Sequence, residues 1–146
     1  MKPQTLPLIA LLLTLFTTLA MSSPSHAASS ANMPTLSIRW GCGQCAHNDK
    51  VIALIQQIYA EEVRKQGRAI SRKDVADVTI TDFRQRPPAA RALLGGFSGK
   101  DRLAISIRYR GKTYAASDSA VTIMNGMNSL CKTVAHSVFA QLAQHK

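Results

Sequence analysis

From Thr35 to Trp40 the apolar Leu36, Ile38 and Trp40 alternate with Thr35, Ser37 and Arg39, and a period of two with β-branched and aromatic members predicts a strand. Beyond the turn Gly41-Cys42-Gly43-Gln44-Cys45 the period lengthens. Val51, Leu54, Ile55, Ile58 and Val63 fall on one stripe of a helix over 49–66, with Asn48 as its cap, Asp49 matched to the positive end of the helix dipole and Gly67 as its stop. Val78 and Ile80, alternating with Thr79 and Thr81, predict a second strand over 75–83 that Pro87-Pro88 ends. Ala89 to Leu94 is compatible with a helical turn, and Gly95-Gly96-Phe97-Ser98-Gly99 reads as a loop. A hairpin follows: Leu103, Ile105, Ile107 and Tyr109 share one face, Arg102, Ala104, Ser106, Arg108 and Arg110 the other, and Arg110-Gly111 turns the chain into 112–116. Ser117 or Asp118 then caps a last helix to Gln144, with Ile123, Met127, Leu130, Cys131, Val134, Val138 and Leu142 as its apolar stripe.

The order is strand, helix, strand, irregular segment, strand, strand, helix, which predicts a small single α+β domain with a mostly antiparallel sheet backed by two helices. Ahead of it, Lys2, the apolar stretch Leu6 to Met21 and Ser25-His26-Ala27 read as a signal peptide cleaved near Ala27, followed by a small-residue tether over 28–34. The domain then covers 35–146, and the expected location is the periplasm or the exterior, with no membrane span after cleavage. The chain of 146 residues has a net charge of +10, of which Lys2 leaves with the signal. Such an excess favours an acidic envelope component or anionic lipid head groups as partners, and export sets nucleic acid aside.

An exported pair of thiols forms a disulfide, exchanges one or holds a metal, so Cys42 and Cys45 are the first candidates for chemistry. The stretch Trp40 to Cys45, between a strand and a helix, resembles the thioredoxin and glutaredoxin motif. The resemblance implies that Cys42 attacks, its pKa lowered by the helix terminus, and that Cys45 resolves the mixed disulfide. Gly41 separates Trp40 from Cys42 here, and Gly99-Lys100-Asp101 stands where that family has a proline. Arg91 to Asp101 with the basic hairpin, Asp118 and the terminal helix is similar to small proteobacterial envelope proteins of uncharacterised function, which implies an accessory or binding role and no catalytic residue.

Three readings of the cysteines therefore stand side by side. In the first, Cys42 and Cys45 are a structural disulfide, and Cys131 either packs as a small apolar residue or pairs with one of them. In the second they exchange disulfides. In the third, Cys42, Cys45 and His47, with Met124, Met127 and Cys131 on one side of the last helix, bind copper or zinc. No cofactor is called for: the histidine of Cys-x-x-Cys-Ala-His is one position late for haem attachment, and Gly95 to Lys100 is one residue short of a phosphate loop, with Asp101 in place of its hydroxyl. Arg84, Arg86, Arg91, Lys100, Arg102, Arg108, Arg110 and Lys112 form the candidate anion-binding set. The function expected from the sequence is a non-catalytic accessory or binding protein of the envelope acting through this basic sheet surface, with thiol–disulfide exchange and metal binding as its alternatives.

Overall fold

A computed structural model of the chain describes residues 32–87, 89, 93, 99–120 and 126–145. The signal segment 1–27, Arg91, the loop 95–98, Ile123 and Met124 lie outside the described residues. The elements are β1 (Met33–Trp40), α1 (Asp49–Lys65), β2 (Ile70–Arg84), β3 (Asp101–Tyr109), β4 (Lys112–Ala120) and α2 (Met127–Ala143), a single α+β domain in the expected order. The four strands form one sheet in the order β1-β2-β3-β4. β1 and β2 run parallel, joined through α1, and the other neighbours are antiparallel.

One face of the sheet carries the core. Leu36, Val78, Ile80, Leu103, Ile105, Ile107 and Tyr109 are buried from the strands, and Val51, Ile55, Val63, Leu130, Cys131, Val134, Val138 and Leu142 meet them from the two helices. Tyr59, which the apolar stripe omits, is buried as well, because its hydroxyl reaches the Pro34 carbonyl oxygen at 2.8 Å and its ring then fills the core without an orphaned donor. Asn48 caps α1 as expected, its side-chain oxygen accepting from the Lys50 N–H at 3.1 Å.

Two irregularities decide which way side chains point. At the bulge between Ile80 and Asp82, Thr81 is the extra residue, since Ile80 pairs with Ile105 and Asp82 with Ala104. Alternation therefore shifts phase. Ala76, Val78 and Ile80 face the core before it and Phe83 after it, so that Asp82 and Arg84 turn to the open face. The second irregularity lies near the start of β2, where the partner in β2 jumps from Ser71 opposite Pro34 to Val75 opposite Thr35, leaving Arg72 to Asp74 outside the ladder.

The end of the hairpin corrects the sequence reading. Ser117 and Asp118 do not cap a helix: they pair with Ala104 and Leu103, and β4 runs on to Ala120. Capping preference is worth about 1 kcal/mol, and a full set of ladder bonds to β3 outweighs it. α2 begins only at Met127, with Gly126 as an N-cap that makes no side-chain bond. The turn Arg110-Gly111 is where expected, with φ of 47° and 74°, the two left-handed residues of the tight hairpin turn whose twist matches the strands.

Arg86 and Asp101 are the buried charged residues, exposed by 3 % and 0 %. Asp101 Oδ1 accepts from the Arg86 backbone N–H at 2.7 Å and from its Nε at 3.2 Å, and Arg86 Nη2 donates to the Ala120 carbonyl at 3.4 Å. The pair thereby ties the exit of β2 to the first residue of β3 and the last of β4.

Candidate functional site

The bonding pattern of the last β1 residues carries the cysteine loop to the edge of a cleft. Gly41 N–H still donates to the Ile80 carbonyl at 2.8 Å, so the loop leaves pressed against β2. A Cβ at Gly41 would collide with the Thr79 methyl group, which is the physical reason a glycine stands between Trp40 and Cys42. We expect Gly41→Ala to lower the stability of the domain by about 1–3 kcal/mol in urea unfolding, and the added Thr79→Ser, which removes that methyl, to restore most of it.

Cys42 and Cys45 stand at disulfide-bonding distance, with Cα atoms 5.6 Å apart, and both are half-buried. Cys45 Sγ also lies 3.1 Å from the Cys42 carbonyl oxygen. Trp40 stacks on His47 at 4.7 Å between ring centroids and meets Phe83 edge-on at 5.3 Å, which packs the loop between β1 and the exit of β2. Asn48 Nδ2 donates to Gln85 Oε1 at 3.2 Å and closes the other side. The two sulfurs border an open cleft of about 470 Å³ walled by Gln44, Phe83, Arg84, Gln85 and Arg102.

The cysteine pair lies ahead of α1 and outside its first turn. Cys45 precedes the N-cap Asn48 by three residues, Asn48 itself serves the first turn, and Asp49 occupies that turn with a negative charge. Positive charge comes from the sheet instead. Arg84 and Arg102 are directly opposite each other on β2 and β3, a like-charge cross-strand pair that the strands hold at some cost. Arg102 is bonded to Asp82 at 3.3 Å, and among the described residues no carboxylate pairs with Arg84.

Among the described residues, the other members of the anion-binding set do not converge. Arg86 is turned inward onto Asp101 and faces no solvent. Arg108 lies 4.0 Å from Asp77 and Arg110 lies 2.8 Å from Asp74, so the arginine row of β3 is largely matched by acids on β2. Exposed pairs of this kind are worth at most about 1 kcal/mol, but they do neutralise the face. Lys100 and Lys112 are exposed at opposite ends of the hairpin.

The described members of the metal set are likewise apart. Among the described residues no three His, Cys, Asp or Glu side chains are grouped to hold a metal ion. His47 is taken up by its stacking on Trp40, Met127 is half-buried in the first turn of α2, and Cys131 is a free thiol fully buried in the core. Cys131 therefore pairs with neither Cys42 nor Cys45. Burial pushes its thiol pKa up to about 11, so the reactive thiolate is scarce at neutral pH. Native protein at pH 8 should lack alkylation at Cys131 and gain one equivalent on unfolding, as read by intact-mass spectrometry.

No family model and no curated protein sequence matches the chain. Among solved structures, the 2.35 Å crystal structure of a minor lipoprotein from Acinetobacter baumannii is similar, with a TM-score of 0.39 and 12 % identity over 76 % of this chain and 90 % of that one. Among the described residues no helix is long and apolar enough to cross a membrane.

Proposed function

We propose that the chain is an exported envelope domain that carries out thiol–disulfide exchange through Cys42 and Cys45, on partners that enter the adjoining cleft. The observation that carries this reading is the place of the pair: it borders the open cleft and links only residues of the β1–α1 connection. A loop this short returns roughly 2 kcal/mol at most as a staple, less than a bridge between distant elements would. The charge pairing of Arg102, Arg108 and Arg110 also makes the hairpin face a weaker candidate for the functional surface than the cleft.

Exchange runs in two displacements. A partner thiolate attacks Cys42 Sγ, the Cys42–Cys45 bond breaks, and Cys45 leaves as a thiolate that takes up a proton from water. A second partner thiolate then attacks the partner sulfur in the mixed disulfide and releases Cys42, so the partner dithiol is oxidised and the cysteine pair reduced; with a reduced pair the same steps run backwards. Cys42 is assigned as the attacked sulfur and Cys45 as the leaving one, the roles that the resemblance of Trp40 to Cys45 to the thioredoxin motif implies. The guanidinium of Arg84 on the cleft wall draws acidic partners.

Trp40 is the single tryptophan of the chain and packs in the cysteine loop, so its emission reports the redox state. In glutathione redox buffers we expect a reversible two-electron transition in Trp40 emission, matched by alkylation of Cys42 and Cys45 in the native protein. A pair that resists glutathione until the domain is unfolded is a structural staple, and that result sinks the proposal.

A further inference from the structure

The end of the sheet opposite the disulfide carries a second, separate concentration of charge. Three connections meet there: the start of β1, the passage from α1 into β2, and the β3–β4 turn. Met33 N–H donates to the Ala69 carbonyl at 2.8 Å, and Arg68 Nη1 reaches Met33 Sδ at 2.9 Å, which binds the first two together. The stretch Arg72 to Asp74, expelled from the ladder, is shaped by Ser71 Oγ, which accepts the N–H groups of Lys73 and Asp74 at 3.2 Å each. Asp74 then accepts from Tyr109 Oη at 2.5 Å and from Arg110 Nη2 at 2.8 Å, clamping the bulge to the hairpin turn.

This architecture consumes one acid and leaves the cations outward. Arg110 is matched by Asp74 and Lys65 by Glu62 at 3.9 Å. Arg64, Arg68, Arg72, Lys73 and Lys112 have no carboxylate partner among the described residues, and all but the half-buried Arg68 are exposed. The C-terminal ends of α1 and α2 subtract about half a charge each, which leaves the pole strongly positive. Ile70, 38 % exposed, adds an apolar side chain at the same place. The chain enters the domain at this pole, where β1 begins at Met33.

From this juxtaposition we propose that the pole formed by Arg64, Arg68, Arg72, Lys73 and Lys112 docks on an anionic phospholipid surface, with Ile70 at the level of the head groups. Each basic residue at such a surface contributes to binding in an additive and salt-sensitive way. The pole that holds Cys42 and Cys45 lies at the far end of the strands, so docking turns the disulfide and its cleft away from the bilayer. The inference does not depend on the redox activity of the pair.

The test is sedimentation of the exported protein with vesicles of phosphatidylcholine containing about a third phosphatidylglycerol, against vesicles of phosphatidylcholine alone. Two variants of equal net charge decide it: Arg72→Gln with Lys73→Gln at the basic pole, and Lys50→Gln with Lys132→Gln, exposed positions on the two helices away from it. We expect the first to weaken partition onto anionic vesicles roughly 30-fold and the second several-fold less, with no binding of either to neutral vesicles. Equal losses in the two variants would mean that overall charge and not the pole is responsible. Either that result or unaltered binding in the first variant overturns the proposal, and equal urea midpoints establish that both variants are folded.

Discussion

Cys45→Ser should accumulate a stable mixed disulfide on Cys42 when the protein meets a disulfide partner, whereas Cys42→Ser should form none and lose exchange down to the background rate of the buffer thiols. The asymmetry follows from the roles assigned to the two sulfurs. With Cys45 removed, the intermediate on Cys42 has no neighbouring thiol to resolve it. With Cys42 removed, the sulfur assigned to be attacked is gone, and Cys45 keeps only its place 3.1 Å from the carbonyl of residue 42. Both variants should stay folded, since the lost bridge spans only the β1–α1 connection and is worth roughly 2 kcal/mol or less. Mass spectrometry after acid quenching reads the trapped adduct directly. Adducts in equal yield on the two variants would remove the distinction between attacked and resolving sulfur, and adducts on neither would leave no exchange to explain.

The second large effect belongs to the buried pair Arg86 and Asp101. Replacing Asp101 with alanine should destabilise the domain by about 3–5 kcal/mol, because it strips the carboxylate from a guanidinium that is 3 % exposed and orphans the Arg86 N–H as well. That is a large share of the 5–15 kcal/mol typical of a small domain. The double change Asp101→Ala with Arg86→Met should recover much of the loss, since the guanidinium then leaves together with the carboxylate it bonds. Urea denaturation of the three proteins measures it. Single and double variants of equal stability would show that the charge is not what the site depends on. Because this pair gathers the ends of β2, β3 and β4 next to Arg84 and Arg102, the single variant should also loosen the cleft wall and raise the rate at which glutathione reduces Cys42–Cys45.

Much of the fold was legible where a local period coincided with a buried face. Leu103, Ile105, Ile107 and Tyr109 alternate cleanly because the whole of β3 lies on the core, and α1 shows its stripe, its cap and its stop within its own residues. The hairpin turn was legible for the same reason, since Gly111 and a left-handed Arg110 are local requirements. The phase shift at Thr81 was not, for alternation is insensitive to one extra residue until a partner strand sets the register. Ser117 and Asp118 misled because a good capping pair and a polar strand segment are written in the same residues; the choice was made by Ala104 and Leu103 across the ladder.

The site divides along the same line. The Cys42–Cys45 pair, its place between a strand and a helix, and the single tryptophan beside it are local and could be read directly from the chain. Arginines could only be counted there, not sorted. Arg86 is two residues from Arg84 in sequence, yet one is buried on Asp101 and the other stands on the cleft wall, and Arg72 with Lys73 bear no local mark of being thrust out at the basic pole. Sequence alone determined the periods, the caps, the turn and the pair of thiols, because each depends on neighbours within a few residues. The tertiary structure decided which charges are paired, which are buried and which end of the domain they occupy. Coulomb interaction and desolvation act through space, and the bulges, ladders and connections that set those distances join residues far apart in the chain.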